Sequence, residues 1–177
     1  MLVSAILLAM VQAQSATPPQ QPPPPPACTG PEHRQFDFWV GDWSVTPTGK
    51  TNVVARSLVE NLYSGCAIRE NWMPLKGSAG GSLNNYYDGR WRQTWVDASN
   101  SRVDFVGGLV DGTMVLTGNW QGVLGPGKDA LIRMSYLKNA DGSVRQHGEQ
   151  STDDGKTWST NFDFTYHPVP QPISPGR

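Results

Sequence analysis

Residues 82–97 read Ser82-Leu83-Asn84-Asn85-Tyr86-Tyr87-Asp88-Gly89-Arg90-Trp91-Arg92-Gln93-Thr94-Trp95-Val96-Asp97. Two short runs, Ser82–Tyr87 and Trp91–Asp97, flank an Asp-Gly pair. Short runs rich in aromatic and β-branched residues, cut by turn residues, mark strands. Asp-Gly tolerates the positive φ that a two-residue hairpin turn requires. The stretch therefore predicts an antiparallel hairpin, and the same pair recurs at Asp111-Gly112, Asp141-Gly142 and Asp154-Gly155.

Working outward from this hairpin, similar runs repeat about every ten residues. They are Trp39–Val45, Asn52–Leu62 and Cys66–Trp72 before it, and Arg102–Leu109, Thr113–Trp120, Ala130–Leu137, Ser143–Ser151 and Thr157–Tyr166 after it. Between Glu32 and His167 no window sustains helical periodicity for three turns. Ten hairpin-linked strands without a helical crossover imply an all-β chain, a single antiparallel up-and-down barrel whose closure removes the sheet edges. Phe36, Trp39 and Val40 stand at i, i+3 and i+4, one face of a short helical turn. That turn, feeding straight into the first strand, is placed to close one end of the barrel; the same aromatics would equally serve as first-strand core.

The 177 residues suffice for one domain. Fourteen basic against fifteen acidic side chains leave a net charge of −1, which offers neither a basic nucleic-acid surface nor a polybasic membrane patch. Eight of the fifteen prolines lie at or before Pro31 and four after His167, so the folded domain is expected over 32–167. Residues 1–31 carry no charge, and the largely apolar run Leu2–Val11 precedes the small-residue pattern Gln14-Ser15-Ala16. Such a run is too short to span a bilayer and suits a secretory signal peptide over 1–16, which implies a periplasmic or secreted protein with no integral membrane segment once the signal is cleaved. Pro22–Pro26 then makes 17–31 a stiff Pro-rich linker, and 168–177 reads as a disordered Pro-rich tail. Cys28 and Cys66 are the only cysteines; in an exported chain they are expected to form one disulfide. The three histidines, His33, His147 and His167, lack metal-ligand spacing, so no metal site is expected.

Three strings carry a family resemblance: Arg34-Gln35-Phe36-Asp37-Phe38-Trp39-Val40-Gly41-Asp42-Trp43, Gly65-Cys66-Ala67-Ile68-Arg69-Glu70-Asn71-Trp72, and Trp91-Arg92-Gln93-Thr94-Trp95-Val96-Asp97. The first contains the Gly-x-Trp of lipocalins and wider calycins at the start of a first strand. Together they resemble a family of uncharacterised exported bacterial proteins with a lipocalin- or nitrobindin-like barrel. The resemblance spans residues 28–167 and implies a fold and an address but no reaction, because a fold does not determine a function. By analogy it implies a small apolar or amphipathic molecule as partner, held by a monomer or weak dimer. Nitrobindin-like barrels hold haem on a histidine; His147 is the residue to consider here, but no matching motif surrounds it, and no cofactor is expected.

Alternation assigns residues to faces, though not which face is inward. Cys66, Ile68, Glu70 and Trp72 share one face of a strand, as do Trp91, Gln93, Trp95 and Asp97 of another. Both sets mix aromatics with a few polar groups, the profile of a ligand pocket. Glu70, Trp72, Asn84, Tyr86, Gln93 and Trp95 are the expected lining, with Gln146 and Gln150 as further inward polar groups. An inward Glu70 must be paired or protonated; Arg92 and Arg145 are candidate partners, and a structural ion pair at the rim is the plainer alternative. Three functions follow from these residues. The first is a barrel that binds a small, mostly apolar ligand; the second is an enzyme using the same cavity with Glu70 as acid or base; the third is a non-catalytic envelope module packed solid with tryptophan. Finally, Ser151-Thr152-Asp153-Asp154-Gly155-Lys156-Thr157-Trp158 fits the Asp-box of sialidase propellers, but one copy in a short barrel is expected to be a hairpin device.

Overall fold

Asp88 and Gly89 take φ of 52° and 73°, and Asp111 and Gly112 take 48° and 79°, the two-residue turn whose twist matches the strands it joins. These turns connect β4 (Gly80–Tyr87) to β5 (Arg90–Asp97) and β6 (Arg102–Val110) to β7 (Thr113–Trp120). The remaining strands are β1 (Gly41–Pro47), β2 (Ala55–Leu62), β3 (Ala67–Pro74), β8 (Ala130–Lys138), β9 (Val144–Ser151) and β10 (Ser159–Pro168). This computed structural model describes residues 28–170; the expected signal peptide, most of the linker and most of the tail lie outside the described residues.

Each strand pairs antiparallel with its sequence neighbours, and β1 pairs with β10, so the ten strands form a closed barrel. The closing seam runs from Trp43 opposite Pro168 to Pro47 opposite Phe164. Differences from expectation are confined to strand boundaries: β2 starts at Ala55 rather than Asn52, and β1, β3 and β10 each run two residues further, to Pro47, Pro74 and Pro168. Trp39 belongs to a 3-10 turn, Asp37–Trp39, and the strand begins at Gly41. Cys66 ends a 3-10 turn, Tyr63–Gly65, and is bridged to Cys28.

Successive connections lie at opposite ends of an up-and-down barrel. At one end sit the two tight turns, the Tyr63–Gly65 turn and the disulfide. That end is filled by the segment between two 3-10 turns, Pro31–Arg34 and Asp37–Trp39. Phe36 and Trp39 have no exposed surface. Their rings stack at 5.0 Å, and both meet Tyr136, at 4.9 and 4.8 Å. Arg34 donates to the Gly65 carbonyl and pairs with Asp37 at 3.2 Å, which ties the plug to the barrel wall. The Gly-x-Trp tryptophan, Trp43, donates its indole N–H to the Trp39 carbonyl at 2.9 Å.

The Asp-box lies at the other end, between β9 and β10. Asp153 accepts from the backbone N–H of Thr157 at 2.9 Å and from the hydroxyls of Thr157 and Ser151 at 2.7 Å each. Trp158 donates to the Gly155 carbonyl, and the Arg133 guanidinium covers its ring at 4.1 Å. Ser151, Asp153, Gly155, Thr157 and Trp158 are therefore used within the turn, and β10 starts at Ser159 rather than at the expected Thr157.

Candidate functional site

Burial decides the face that alternation leaves open. Ile68 and Glu70 on β3, Ser82 and Asn84 on β4, and Trp91 and Gln93 on β5 are all buried, so these positions point into the barrel. The interior is layered along the barrel axis. The plug and its aromatic contacts fill the closed end, a band of polar side chains lies above them, and aromatic rings surround the open end.

Glu70 anchors the polar band. It is 4 % exposed. Its Oε1 accepts from the Ser57 hydroxyl at 2.9 Å and from the Tyr166 hydroxyl at 3.1 Å. Tyr166 also lies 2.7 Å from the Gln146 Oε1, and Gln146 donates its amide N–H to the Tyr136 hydroxyl at 2.9 Å. Gln93 donates to Tyr136 at 3.3 Å and to the Asn84 Oδ1 at 2.6 Å. Asn84 in turn donates to Ser82 and to the Ile68 carbonyl. The chain of bonds thus reaches from β2 through β3, β4 and β5 and back through β8, β9 and β10. Such a band fixes side-chain positions because each buried polar group is satisfied by another.

Among the described residues no cation enters the network. Arg145 pairs with Asp163 at 2.6 Å and Arg133 with Glu149 at 2.8 Å, while Arg92 lies over the Tyr87 ring. The expected Glu70–Arg pair is therefore replaced by hydroxyl donors, because each of these arginines stands on the outward face of its strand. Burial disfavours the charged form and raises the Glu70 carboxyl to about 7, against the smaller downward pull of the Ser57, Tyr166 and Ser82 hydroxyls. Burial and the nearby Glu70 push both Tyr136 and Tyr166 well above the usual phenol range.

Above this band lies a cavity of about 160 Å³. Its floor is formed by Glu70, Gln93, Gln146, Tyr136 and Tyr166 with Met134 and Phe105; its upper wall by Trp72, Trp95, Trp120, Phe162 and Phe164. The wall residues are only partly buried, so they form the mouth. Two glycines make room for them. A Cβ on Gly80 would stand 2.7 Å from the Trp95 ring, and one on Gly148 would collide with Phe162. The indole N–H of Trp95 is held by Asp97 at 3.0 Å and that of Trp120 by Ser101 at 2.6 Å. Both bonds go to the rim where β5 passes into β6, which leaves ring carbon to face the cavity.

Of the expected lining residues, Glu70, Trp72, Gln93 and Trp95 come together around this cavity, and Gln146 joins them. Asn84 lies behind Gln93 as its hydrogen-bond partner. Tyr86 packs against His33 and Trp91 toward the closed end, and Gln150 bonds to Asn161 on the neighbouring strand. His147 occupies the opposite face of β9 from Gln146 and bonds to Thr160 at 3.1 Å; it neither meets Glu70 nor reaches the cavity. No histidine lines the cavity, so it offers no imidazole to a haem iron. Among the described residues there is also no group of three or more potential metal ligands, and no helix is long and apolar enough to cross a membrane.

Sequence reasoning missed Tyr136, Tyr166, Met134, Phe105, Trp120 and the Phe162–Phe164 pair. Alternation was a usable signal for them, since Met134 and Tyr136 share a face, as do Phe162, Phe164 and Tyr166. What singled out β3 and β5 was a mixture of polar and aromatic residues within one strand, whereas here the polar and aromatic groups meet only across strands. The chain matches no protein-family model and no curated protein.

Proposed function

We propose that this is an exported, lipocalin-like barrel that holds a small, mostly apolar ligand in its interior. The observation that carries it is the cavity of about 160 Å³ with an aromatic wall and a polar floor. Small-molecule sites are mostly apolar with a few fixed polar groups, and an apolar cavity of about 150 Å³ accepts a benzene-sized molecule. The pocket sets this function above that of a barrel packed solid with tryptophan. Export is supported by the apolar run Leu2–Val11 with its small-residue cleavage pattern, and by the Cys28–Cys66 bridge, a bond that persists in oxidising compartments. The calycin-like resemblance of the three sequence strings is in keeping with the closed antiparallel barrel.

A second function has its own observation. Glu70 sits in the cavity with its carboxyl raised to about 7, which is where a general acid or base is most effective. In that case the cavity is an active site with Glu70 as the proton carrier. Native mass spectrometry of the mature protein, purified from its own compartment, tests the binding function. A retained small molecule supports it, and conversion of that molecule by the wild type but not by Glu70→Gln would establish the enzyme instead. Failure of benzene-sized probes to perturb the tryptophan fluorescence would overturn both.

A further inference from the structure

The cavity places one carboxyl group among aromatic rings with no positive charge to meet it. Seven ion pairs occur among the described residues and none involves Glu70. Among the described residues no lysine, arginine or histidine lines the cavity. The carboxyl is held only by neutral hydroxyls, Ser57 from β2, Ser82 from β4 and Tyr166 from β10. Around it the wall is π surface. Trp72 lies 5.6 Å from Phe164 and 6.3 Å from Tyr166, Phe162 stacks on Phe164 at 5.6 Å, and Phe105 meets Trp120 edge-on at 6.3 Å. Trp95 and Trp120 direct their indole N–H groups to Asp97 and Ser101 at the rim.

Starting from the binding function proposed above, we infer that the cavity selects a small organic ammonium, an amine of about one-ring size whose charged nitrogen meets Glu70 while its carbon skeleton lies among the aromatic rings. Aromatic faces attract cations, the more so when water is displaced. A carboxylate–ammonium bond supplies what the floor lacks. Bringing two ions out of water is costly, but folding has already desolvated Glu70, so only the ligand's share of that cost falls on binding. A neutral apolar molecule would fill the same space and leave the carboxyl unpaired.

The titratable groups facing Glu70 are Tyr136 from β8 and Tyr166 from β10, both held in the neutral form; Gln146 from β9 and Gln93 from β5 face it as neutral amides. Glu70 is therefore the group that sets the pH dependence. Its carboxyl titrates near 7, and an ammonium binds the ionised form. Affinity for an amine should fall as the pH drops below about 7, approaching tenfold per pH unit, whereas affinity for a neutral ligand should not.

The test is calorimetric titration of the mature, disulfide-bonded protein with benzylamine and with benzyl alcohol, its neutral counterpart. At about pH 8 benzylamine is protonated and Glu70 largely ionised, and the amine is expected to bind at least about tenfold more tightly. That preference should vanish in Glu70→Gln and shrink in the wild type at about pH 5; the wild-type pH series serves alone if the variant does not fold. Equal or tighter binding of the alcohol at the higher pH overturns the amine preference while leaving the cavity a ligand site. So does a preference that survives Glu70→Gln. Binding of neither probe overturns the cavity as a small-molecule site along with its preference.

Discussion

At the closed end of the barrel, two of the connections are two-residue Asp-Gly turns, a disulfide bridges Cys28 to Cys66, and Phe36 and Trp39 are fully buried among Tyr136, Trp91 and Tyr166. At the open end the connections include the long loops 48–54, 121–129 and 152–158, and rings of comparable size, Trp72, Trp95, Trp120, Phe162 and Phe164, stay partly exposed. Both ends are built from aromatics, yet one uses them to exclude solvent and the other to line a space. The contrast teaches that a count of tryptophans says little about a barrel's interior. What matters is whether a segment such as Phe36–Trp39 is present to complete the packing.

The contrast can be broken by truncating one ring at each end. Trp39→Ala should cost about 3–5 kcal/mol, the usual penalty for deleting a fully packed aromatic, read as a fall in the denaturant midpoint by circular dichroism. Opening the Cys28–Cys66 bridge by Cys28→Ser with Cys66→Ser should cost about 4 kcal/mol in the chain-entropy account for a loop of this length. Both losses belong to the closed end. Glu70, at the boundary between the ends, behaves differently. Its carboxyl rises from 4.5 to about 7 on folding, so the folded chain retains a proton that the unfolded chain releases. Its contribution is present in full below about pH 4.5, is lost as the pH rises through about 7, and amounts to about 3 kcal/mol. Glu70→Gln should abolish that slope and leave the variant more stable than the wild type at about pH 8, measured as denaturant midpoint against pH. The smallest effect is expected from Trp95→Ala, about 1 kcal/mol in stability because the ring is only partly removed from water. A cost equal to that of Trp39→Ala would erase the division between the ends.

How far the sequence discloses this arrangement depends on the range of each interaction. The ten strands and the plug are local features: Asp-Gly pairs, two-residue alternation, and apolar residues at i, i+3 and i+4. They are legible without any knowledge of the rest of the chain. The start of β10 slipped because a side chain competes for the backbone, Asp153 drawing Thr157 into the turn. The cavity was legible on β3 and β5, where one strand carries both its polar and its aromatic members, and at Gln146 of β9. Tyr166 reaches Glu70 across 96 positions of sequence, and no local pattern encodes that meeting. The Arg145 partnership failed for a related reason. Alternation leaves two faces open, and Arg145 stands on the one that carries Asp163.

The seam between β1 and β10 has a consequence in time. Trp43 finds its partner Pro168 only when nearly the whole domain exists, and contacts so distant along the chain make for slow folding. Until β10 arrives, β1 and β9 are open edges, the Glu70 carboxyl lacks the Tyr166 hydroxyl, and the aromatic wall lacks Phe162 and Phe164. Without β10 the sheet would keep two unpaired edges, the kind that join copies of a chain. The last strand laid down is the one that turns that sheet into a vessel.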